Sequence, residues 1–199
     1  VVRACHTCQM TAVQQRVLTP MIQSKQRAPR EHIYIDLCRI GHFGEAAIDA
    51  LVVTDAASGF YQAYPLEHAT ATTVTDALEF CWFEMYGIPR RITSDNGAQF
   101  TSDEFRDFAS ELGITHTLSS RYHPQSDVAE TVVKKFKTSL RRADFDASEE
   151  KGWSRHIPRI VAAHACTRSA AINATPAEIF FGRAGVEDSQ QMAAYLESD

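Results

Sequence analysis

The spacing of apolar residues along the chain predicts strands first and helices later. Residues His32–Ile40, Ile48–Asp55 and Phe60–Leu66 are rich in Ile, Val, Tyr and Leu, and a Ser-Gly turn signal precedes the third stretch. Residues 1–30 have weak periodicity and a mixture of Gln, Arg and Lys. We therefore predict an N-terminal arm over residues 1–30, followed by three consecutive strands joined by short turns.

Helices and two further strands are predicted in the rest of the chain. Thr70–Tyr86 is long enough for a helix that Gly87 stops, with an apolar stripe to which Trp82 or Phe83 contributes. The remaining predictions are a strand at Arg91–Ser94, a helix from Ser102 to Gly113, a strand at Ile114–Leu118, and helices at about Ser126–Arg142, Trp153–Thr167 and Pro176–Phe181. This order fits an α/β layer fold with a mixed sheet, because hairpin-linked strands pair antiparallel and later strands cross over through helices.

Length and composition bound the class of protein. The 199 residues, 44% of them hydrophobic, suffice for one main domain with tails. Apolar runs are far shorter than the ~20 residues of a membrane-spanning helix, and no secretory signal pattern opens the chain. Five cysteines without a framework pattern indicate a reducing compartment. We expect a nuclear or cytoplasmic protein that is not secreted and has no membrane partner.

The charge of the chain restricts how it could bind a nucleic acid. A net charge of -5 argues against a generally basic surface that would compete for phosphates. One segment, Thr131–Arg142, is locally basic and has no acidic residue; its basic residues are Lys134, Lys135, Lys137, Arg141 and Arg142. Any DNA contact is therefore expected there, and the alternative is an ordinary solvated helix face.

Two aspartates lie where an α/β sheet places ligand-binding residues. Asp36 is in the first predicted strand, where alternation puts Ile33 and Ile35 on the opposite face. Asp95 ends the short fourth strand, just before an Asn-Gly turn. Strand ends in open α/β sheets are favoured ligand positions. Taken singly, each aspartate could equally be a turn or cap residue.

Glu130 begins a charged stripe on the predicted helix that follows. Helical spacing places Glu130, Lys134, Lys137 and Arg141 on one side, and the apolar residues Val133, Phe136 and Leu140 on another. A carboxylate beside a basic ridge suits phosphodiester chemistry, because the acid can bind metal while lysines meet phosphates. The alternative is that Glu130 only supports Lys134 as an exposed ion pair.

Three motifs carry a resemblance to a known family. They are Ile33-Tyr34-Ile35-Asp36, Ile92-Thr93-Ser94-Asp95-Asn96-Gly97-Ala98-Gln99-Phe100 and Tyr122-His123-Pro124-Gln125-Ser126-Asp127. In order, spacing and letters they resemble the integrases of retroviruses and of gypsy-type long-terminal-repeat retrotransposons. The resemblance implies a ribonuclease-H-like fold, a five-stranded mixed sheet flanked by helices. It implies a catalytic core over residues 31–185, followed by a C-terminal tail at 186–199.

The resemblance also implies a function and a site. Asp36, Asp95 and Glu130 would hold two Mg²⁺ or Mn²⁺ ions for processing DNA 3′ ends and joining them to target DNA. DNA would lie against the basic ridge and against the loop before it; the residues so implied are Tyr122, His123, Gln125, Ser126, Lys134 and Lys137, and the helical stripe adds Arg141 to the expected DNA contacts. Integrase cores commonly dimerise, so a homodimer is expected.

The N-terminus contains a second, shorter resemblance. Cys5-His6-Thr7-Cys8 resembles the closing cysteine pair of the zinc-binding domain that precedes an integrase core. The two upstream histidines that complete a tetrahedral site in the family are absent from this sequence. Residues 1–30 are therefore interpreted as an arm with the remnant of a zinc-binding domain, in which Cys5 and Cys8 would give at most partial zinc binding.

Departures from the family pattern leave two functions open. The run Ser126-Asp127-Val128-Ala129-Glu130 is one residue short, Val133 stands where the family has Asn, and His164-Ala165 stands where it often has Tyr-Asn. The first function is an active transferase. The second is a host-domesticated domain without catalysis that binds a host protein as a scaffold. A ribonuclease H proper would need a late acid, and the residues around Glu178 and Asp188 do not support either.

Overall fold

Five strands form one mixed sheet in the part of the chain that the computed structural model describes, residues 28–43, 46–119, 127–145, 153–169 and 173–182. The strands are β1 (His32–Phe43), β2 (Ala46–Asp55), β3 (Tyr61–Leu66), β4 (Arg91–Ser94) and β5 (Thr115–Leu118). Their spatial order is β3-β2-β1-β4-β5. β1, β2 and β3 pair antiparallel, whereas β4 runs parallel to both β1 and β5. The predicted α/β fold with a mixed sheet is confirmed.

The helices follow the predicted order with two additions. They are α1, which runs through Ala71–Leu78, a π turn at Glu79–Phe83 and Glu84–Tyr86, then α2 (Ala98–Thr101), α3 (Asp103–Glu111), α4 (Asp127–Phe145), α5 (Trp153–Ala165) and α6 (Pro176–Phe181). The short α2 and the π turn were not predicted. Thr70 and Ser102 cap α1 and α3 by accepting backbone N–H bonds. No helix among the described residues has the length and apolar character needed to cross a bilayer.

Strand alternation divides the apolar residues between two faces of the sheet. Ile33 and Ile35 of β1 belong to a core that also contains residues of α1, α3 and α6. Cys38 of β1 belongs to a second core with Tyr61 of β3 and the apolar side chains of α4 and α5. The face bearing Cys38 also bears Asp36, since the two positions differ by an even number of residues. α4 therefore packs on the face of the sheet that carries Asp36.

A buried carboxylate joins the start of β1 to the β2–β3 turn. Asp55 has no exposed surface. Its oxygens accept hydrogen bonds from Arg30 N at 2.7 Å, from Ser58 N at 2.8 Å and from Ser58 Oγ at 2.7 Å. The Arg30 guanidinium lies 5.0 Å from the centroid of the Phe180 ring. Arg30, just before β1, thus contacts both the β2–β3 turn and α6.

Candidate active site

The pairing between β1 and β4 places the two predicted aspartates near the same end of adjacent strands. The parallel pairing ends at Tyr34 and Thr93; Asp36 is two residues further along β1, and Asp95 is two residues further along the chain, just after β4. Asp36 belongs to the face covered by α4, and so does Thr93, because parallel neighbours in register point to the same side. Asp36 is half-buried within β1, and Asp95 is exposed just after β4.

The turn after β4 holds the Asp95 carboxylate. Its Oδ1 accepts the Gly97 backbone N–H at 3.0 Å. A Cβ on Gly97 would overlap the Gln99 side chain and lie 3.1 Å from Asp95 Oδ1, so a larger residue there would disturb both groups. A carboxylate has about four lone-pair sites. The single bond to Gly97 therefore orients the group without saturating it.

Hydrogen-bonding side chains cross β1, β4 and β5 beside this pair. His32 Nε2 lies 2.9 Å from Thr93 Oγ1, which lies 2.7 Å from Thr117 Oγ1. We call these three residues the polar ladder. The ladder is on the face of Asp36, since Thr93 pairs in register with Tyr34, which is two residues before Asp36 in β1. Sequence reasoning missed it, although the alternation of polar residues with Ile92 in β4 was a signal.

A second pair lies on the opposite face of the same strands. Ser94 Oγ lies 2.9 Å from His116 Nε2, and it donates to the Asp95 carbonyl at 2.9 Å. The His116 ring packs against Phe105, with 4.9 Å between ring centroids. Burial lowers the pKa of His116 from its usual value, so the imidazole is neutral at pH 7.

Helix α4 presents an apolar stripe to the sheet and lysines to solvent. Val133, Phe136 and Leu140 are buried, which confirms the predicted apolar stripe, and Val132 joins them. Lys134 is exposed, whereas Lys137 is half-buried. Glu130 lies in the first turn of α4, but its side chain and that of Arg141 are outside the described residues.

Several predicted site residues fall on parts of the chain that the structure does not describe. These are the loop residues Tyr122, His123, Gln125 and Ser126, and the zinc-remnant residues Cys5 and Cys8. Among the described side chains, no group of three or more His, Cys, Asp and Glu forms a metal site, and this set does not include Glu130. Asp36 and Asp95 nevertheless supply two carboxylates near the same end of adjacent strands, and carboxylates are the hard oxygen ligands that Mg²⁺ and Mn²⁺ prefer.

Glu178, the late acid considered for a ribonuclease H, has a structural role. Its Oε2 accepts the Thr175 N–H at 2.7 Å in the capping box of α6. Its Oε1 lies 3.2 Å from Arg168 Nη2. The carboxylate is thus bound at the start of α6, and its interactions are those of a helix cap.

Comparison with known sequences identifies the family. Residues 26–124 match the family model described as integrase core domain, a range that contains Asp36 and Asp95. The chain belongs to the integrase core domain family. This integrase core is 30% identical over 164 residues to the Gag-Pol polyprotein of feline leukemia virus. It is 32% identical over 184 residues to an uncharacterized protein of Caenorhabditis elegans.

The two relatives are much longer proteins. The matches cover 81% and 92% of this integrase core, but the core spans only 9% of the viral polyprotein and 14% of the nematode protein. The solved HTLV-2 integrase catalytic core domain in complex with magnesium shares the fold, with a TM-score of 0.65 and 18% identity. That likeness covers 77% of this chain and 97% of the HTLV-2 domain, which is described in trimeric and dimeric forms. The ribonuclease-H-like fold is confirmed.

Proposed function

We propose that this integrase core is a divalent-metal-dependent polynucleotidyl transferase that processes DNA 3′ ends and joins them to target DNA. The observation that carries the proposal is the parallel pairing of β1 with β4 up to Tyr34 and Thr93, which leaves Asp36 and Asp95 each two residues beyond the last pair, with Asp36 on the sheet face packed by α4. Glu130 is near the start of that same helix. Membership of the integrase core family supports the same chemistry.

The three acids would hold the metal, and the backbone around them would orient the carboxylates. Asp36, Asp95 and Glu130 are the proposed ligands for two Mg²⁺ or Mn²⁺ ions. When bound, such ions activate an attacking oxygen and stabilise a leaving oxygen at one phosphodiester. The N–H of Gly97 fixes one oxygen of Asp95, so the carboxylate needs little reorganisation to bind a cation. β1 holds Asp36 within a continuous strand.

Local positive charge would bind the DNA substrate. The net charge of -5 disfavours DNA elsewhere on the surface, so the proposed contacts are Lys134, Lys137 and Arg141 on α4 and the loop residues before it. Lys134 is exposed and Lys137 half-buried beside the apolar stripe. The basic residues would bind phosphates and position the strand, whereas the acids would act on it.

A second copy and a cellular location complete the proposal. We propose a homodimer, since the HTLV-2 catalytic core with the same fold has a dimeric form. The absence of a framework pattern among the five cysteines supports a nuclear or cytoplasmic site of action. The zinc-binding remnant at Cys5 and Cys8 stays a proposal from the sequence.

Metal-dependent stabilisation is the test of this function. Millimolar Mn²⁺ should stabilise the 199-residue chain by RT ln(1 + [L]/Kd), about 2.7 kcal/mol at a hundredfold excess over Kd, which raises Tm by several degrees. Asp95→Asn should abolish the shift and should not lower the metal-free Tm, because it removes like-charge repulsion beside Asp36. Asp107→Asn, at an exposed position of α3, is the matched control and should keep the shift.

The result also separates the two functions. A wild-type chain that shows no Mn²⁺ response, with an empty site in a metal-soaked crystal, would refute the transferase and favour a domain that binds a host protein without catalysis. A shift that persists in Asp95→Asn would show that the ion binds elsewhere.

A further inference from the structure

The backbone pairing of β4 ends just before Asp95, at Thr93 toward β1 and at Ser94 toward β5. β4 comprises four residues, Arg91–Ser94. In the described part of the chain, three residue pairs join it to β1, and the last is Tyr34 with Thr93. Asp95 itself is exposed and follows the strand. Backbone pairing with β1 alone therefore does not extend to the residue that would have to hold a metal ion.

The polar ladder spans the sheet next to this end. Thr117 Oγ1 donates to the Ile92 carbonyl at 3.4 Å. The Thr93 hydroxyl lies within hydrogen-bond distance of both Thr117 Oγ1 and His32 Nε2, so it can donate to one of them and accept from the other. His32 is buried and its ring lies 4.7 Å from that of Tyr34. The ladder thus links β4 to both neighbouring strands, two residues before Asp95.

The Ser94–His116 pair fixes the same end from the opposite face. Ser94 is 2% exposed, and its hydroxyl donates to the Asp95 carbonyl. That hydroxyl hydrogen is then used, so His116 Nε2–H donates to Ser94 Oγ. The Ser119 N–H also donates to the Ser94 carbonyl at 2.7 Å. β4 is therefore held on both faces at consecutive residues, Thr93 and Ser94.

We propose that the polar ladder and the Ser94–His116 pair are positioning groups that hold Asp95 beside Asp36 at the separation a metal ion requires. The inference rests on the proposed function, since it assigns these residues to the same metal site. None of them is a ligand. They act through the backbone of β4, as groups behind metal ligands commonly do.

Substitutions that remove one hydroxyl at a time test the proposal. Thr93→Val keeps the shape and removes both ladder bonds, Thr93→Ser restores the hydroxyl, and Thr117→Val removes one end without changing β4. Thr75→Val is the control, because Thr75 is a buried threonine away from the sheet, whose hydroxyl donates to the Thr72 carbonyl in α1. The measurements on the whole chain are the Kd for Mn²⁺ by calorimetry, the metal-free Tm, and amide hydrogen exchange.

The expected results differ for the four variants. Thr93→Val should weaken Mn²⁺ binding about tenfold, and Thr117→Val about threefold because the His32–Thr93 bond remains. Thr93→Ser should bind Mn²⁺ within about twofold of the wild type, and Thr75→Val should be unchanged. Without metal, the Gly97 amide should exchange faster in Thr93→Val, while exchange in α1 stays the same.

Three outcomes decide the matter. If Thr93→Val binds Mn²⁺ as the wild type does, or if Thr75→Val loses as much affinity, the positioning role is wrong while the proposed function stands. If the wild type binds no Mn²⁺, the proposed function is wrong, and so is a role in metal binding. An unchanged rate of Gly97 exchange in Thr93→Val would overturn the claim that the ladder fixes Asp95, whether or not metal binds.

Discussion

Phe136 connects the packing of α4 to the proposed metal site. Its side chain is fully buried, and its ring makes an edge contact with Tyr61 of β3 at 6.0 Å between centroids. Phe136→Ala should lower the free energy of unfolding by about 3–5 kcal/mol, since a buried Phe loses both its transfer energy and its packing. The aromatic pair favours the upper half of this range. Because α4 also carries Glu130, we expect the substitution to weaken metal binding.

The magnitude of the second effect follows from linkage. If the loosened helix weakens Mn²⁺ binding tenfold, stabilisation at a concentration of about 100 wild-type Kd falls from about 2.7 to about 1.4 kcal/mol. The control is Leu78→Ala, which empties a fully buried position of α1 in the other core. It should cost about 2–5 kcal/mol. It should leave the Mn²⁺ stabilisation unchanged.

Urea unfolding with and without Mn²⁺ measures both effects on each variant. Total stability of a domain is about 5–15 kcal/mol, so Phe136→Ala could leave too little folded protein to analyse. Phe136→Leu, with an expected loss of about 1–1.5 kcal/mol, then gives the same comparison at lower cost. Equal loss of the Mn²⁺ response in the Phe136 and Leu78 variants would refute the link between α4 packing and metal binding.

Two further predictions concern charge. Changing Lys134 and Lys137 to Glu should weaken DNA binding and reduce the slope of log K against log salt by up to about 2. Arg106→Glu on α3 is the control and should change that slope much less. Fluorescence anisotropy at several salt concentrations measures the slope, and equal losses in the two variants would show that DNA does not bind at the basic ridge. Burial, followed by the charge of Lys135, lowers the pKa of His164 below its usual 6.5 despite a bond to the Gly59 carbonyl. The neutral imidazole thus contributes stability that is present above pH 6.5 and is lost as the pH falls through the folded-state pKa. His164→Gln should therefore make the free energy of unfolding, measured in urea from pH 7 to pH 5, depend less on pH.

Local periodicity predicted the elements that pack through a regular stripe. The strand regions, the stop at Gly87 and the buried side of α4 agree with the structure because each depends on neighbours within a few residues. The sequence left open whether Trp82 or Phe83 faces the core. The π turn buries both and leaves Phe80 71% exposed. A wider turn changes the angle between successive residues, so a fixed helical period could not resolve this segment.

The sequence predicted only those features of the site that depend on neighbouring residues along the chain. Asp36 and Asp95 are recognisable as acids on strands, but their proximity depends on β4 pairing parallel to β1 across 59 positions of sequence. The polar ladder depends in addition on β5 lying beside β4. A single sequence does not reveal such long-range pairing through propensity, because register is decided by packing on both faces. This is why the acids were predicted and the residues that position them were not.

The three proposed ligands lie on different kinds of secondary structure, and this difference decides which part of the site a bound metal stabilises most. Asp36 is carried by a strand that pairs on both sides, whereas Asp95 follows a strand of four residues and Glu130 lies in the first turn of a helix. A cation shared by all three would connect the helix to the sheet at the end of α4 opposite to Leu140. The apolar stripe already holds the later turns of α4 on β1 and β2. Binding should therefore stabilise the first turn of α4 and the turn after β4 most, since a shared cation would join each of them to β1.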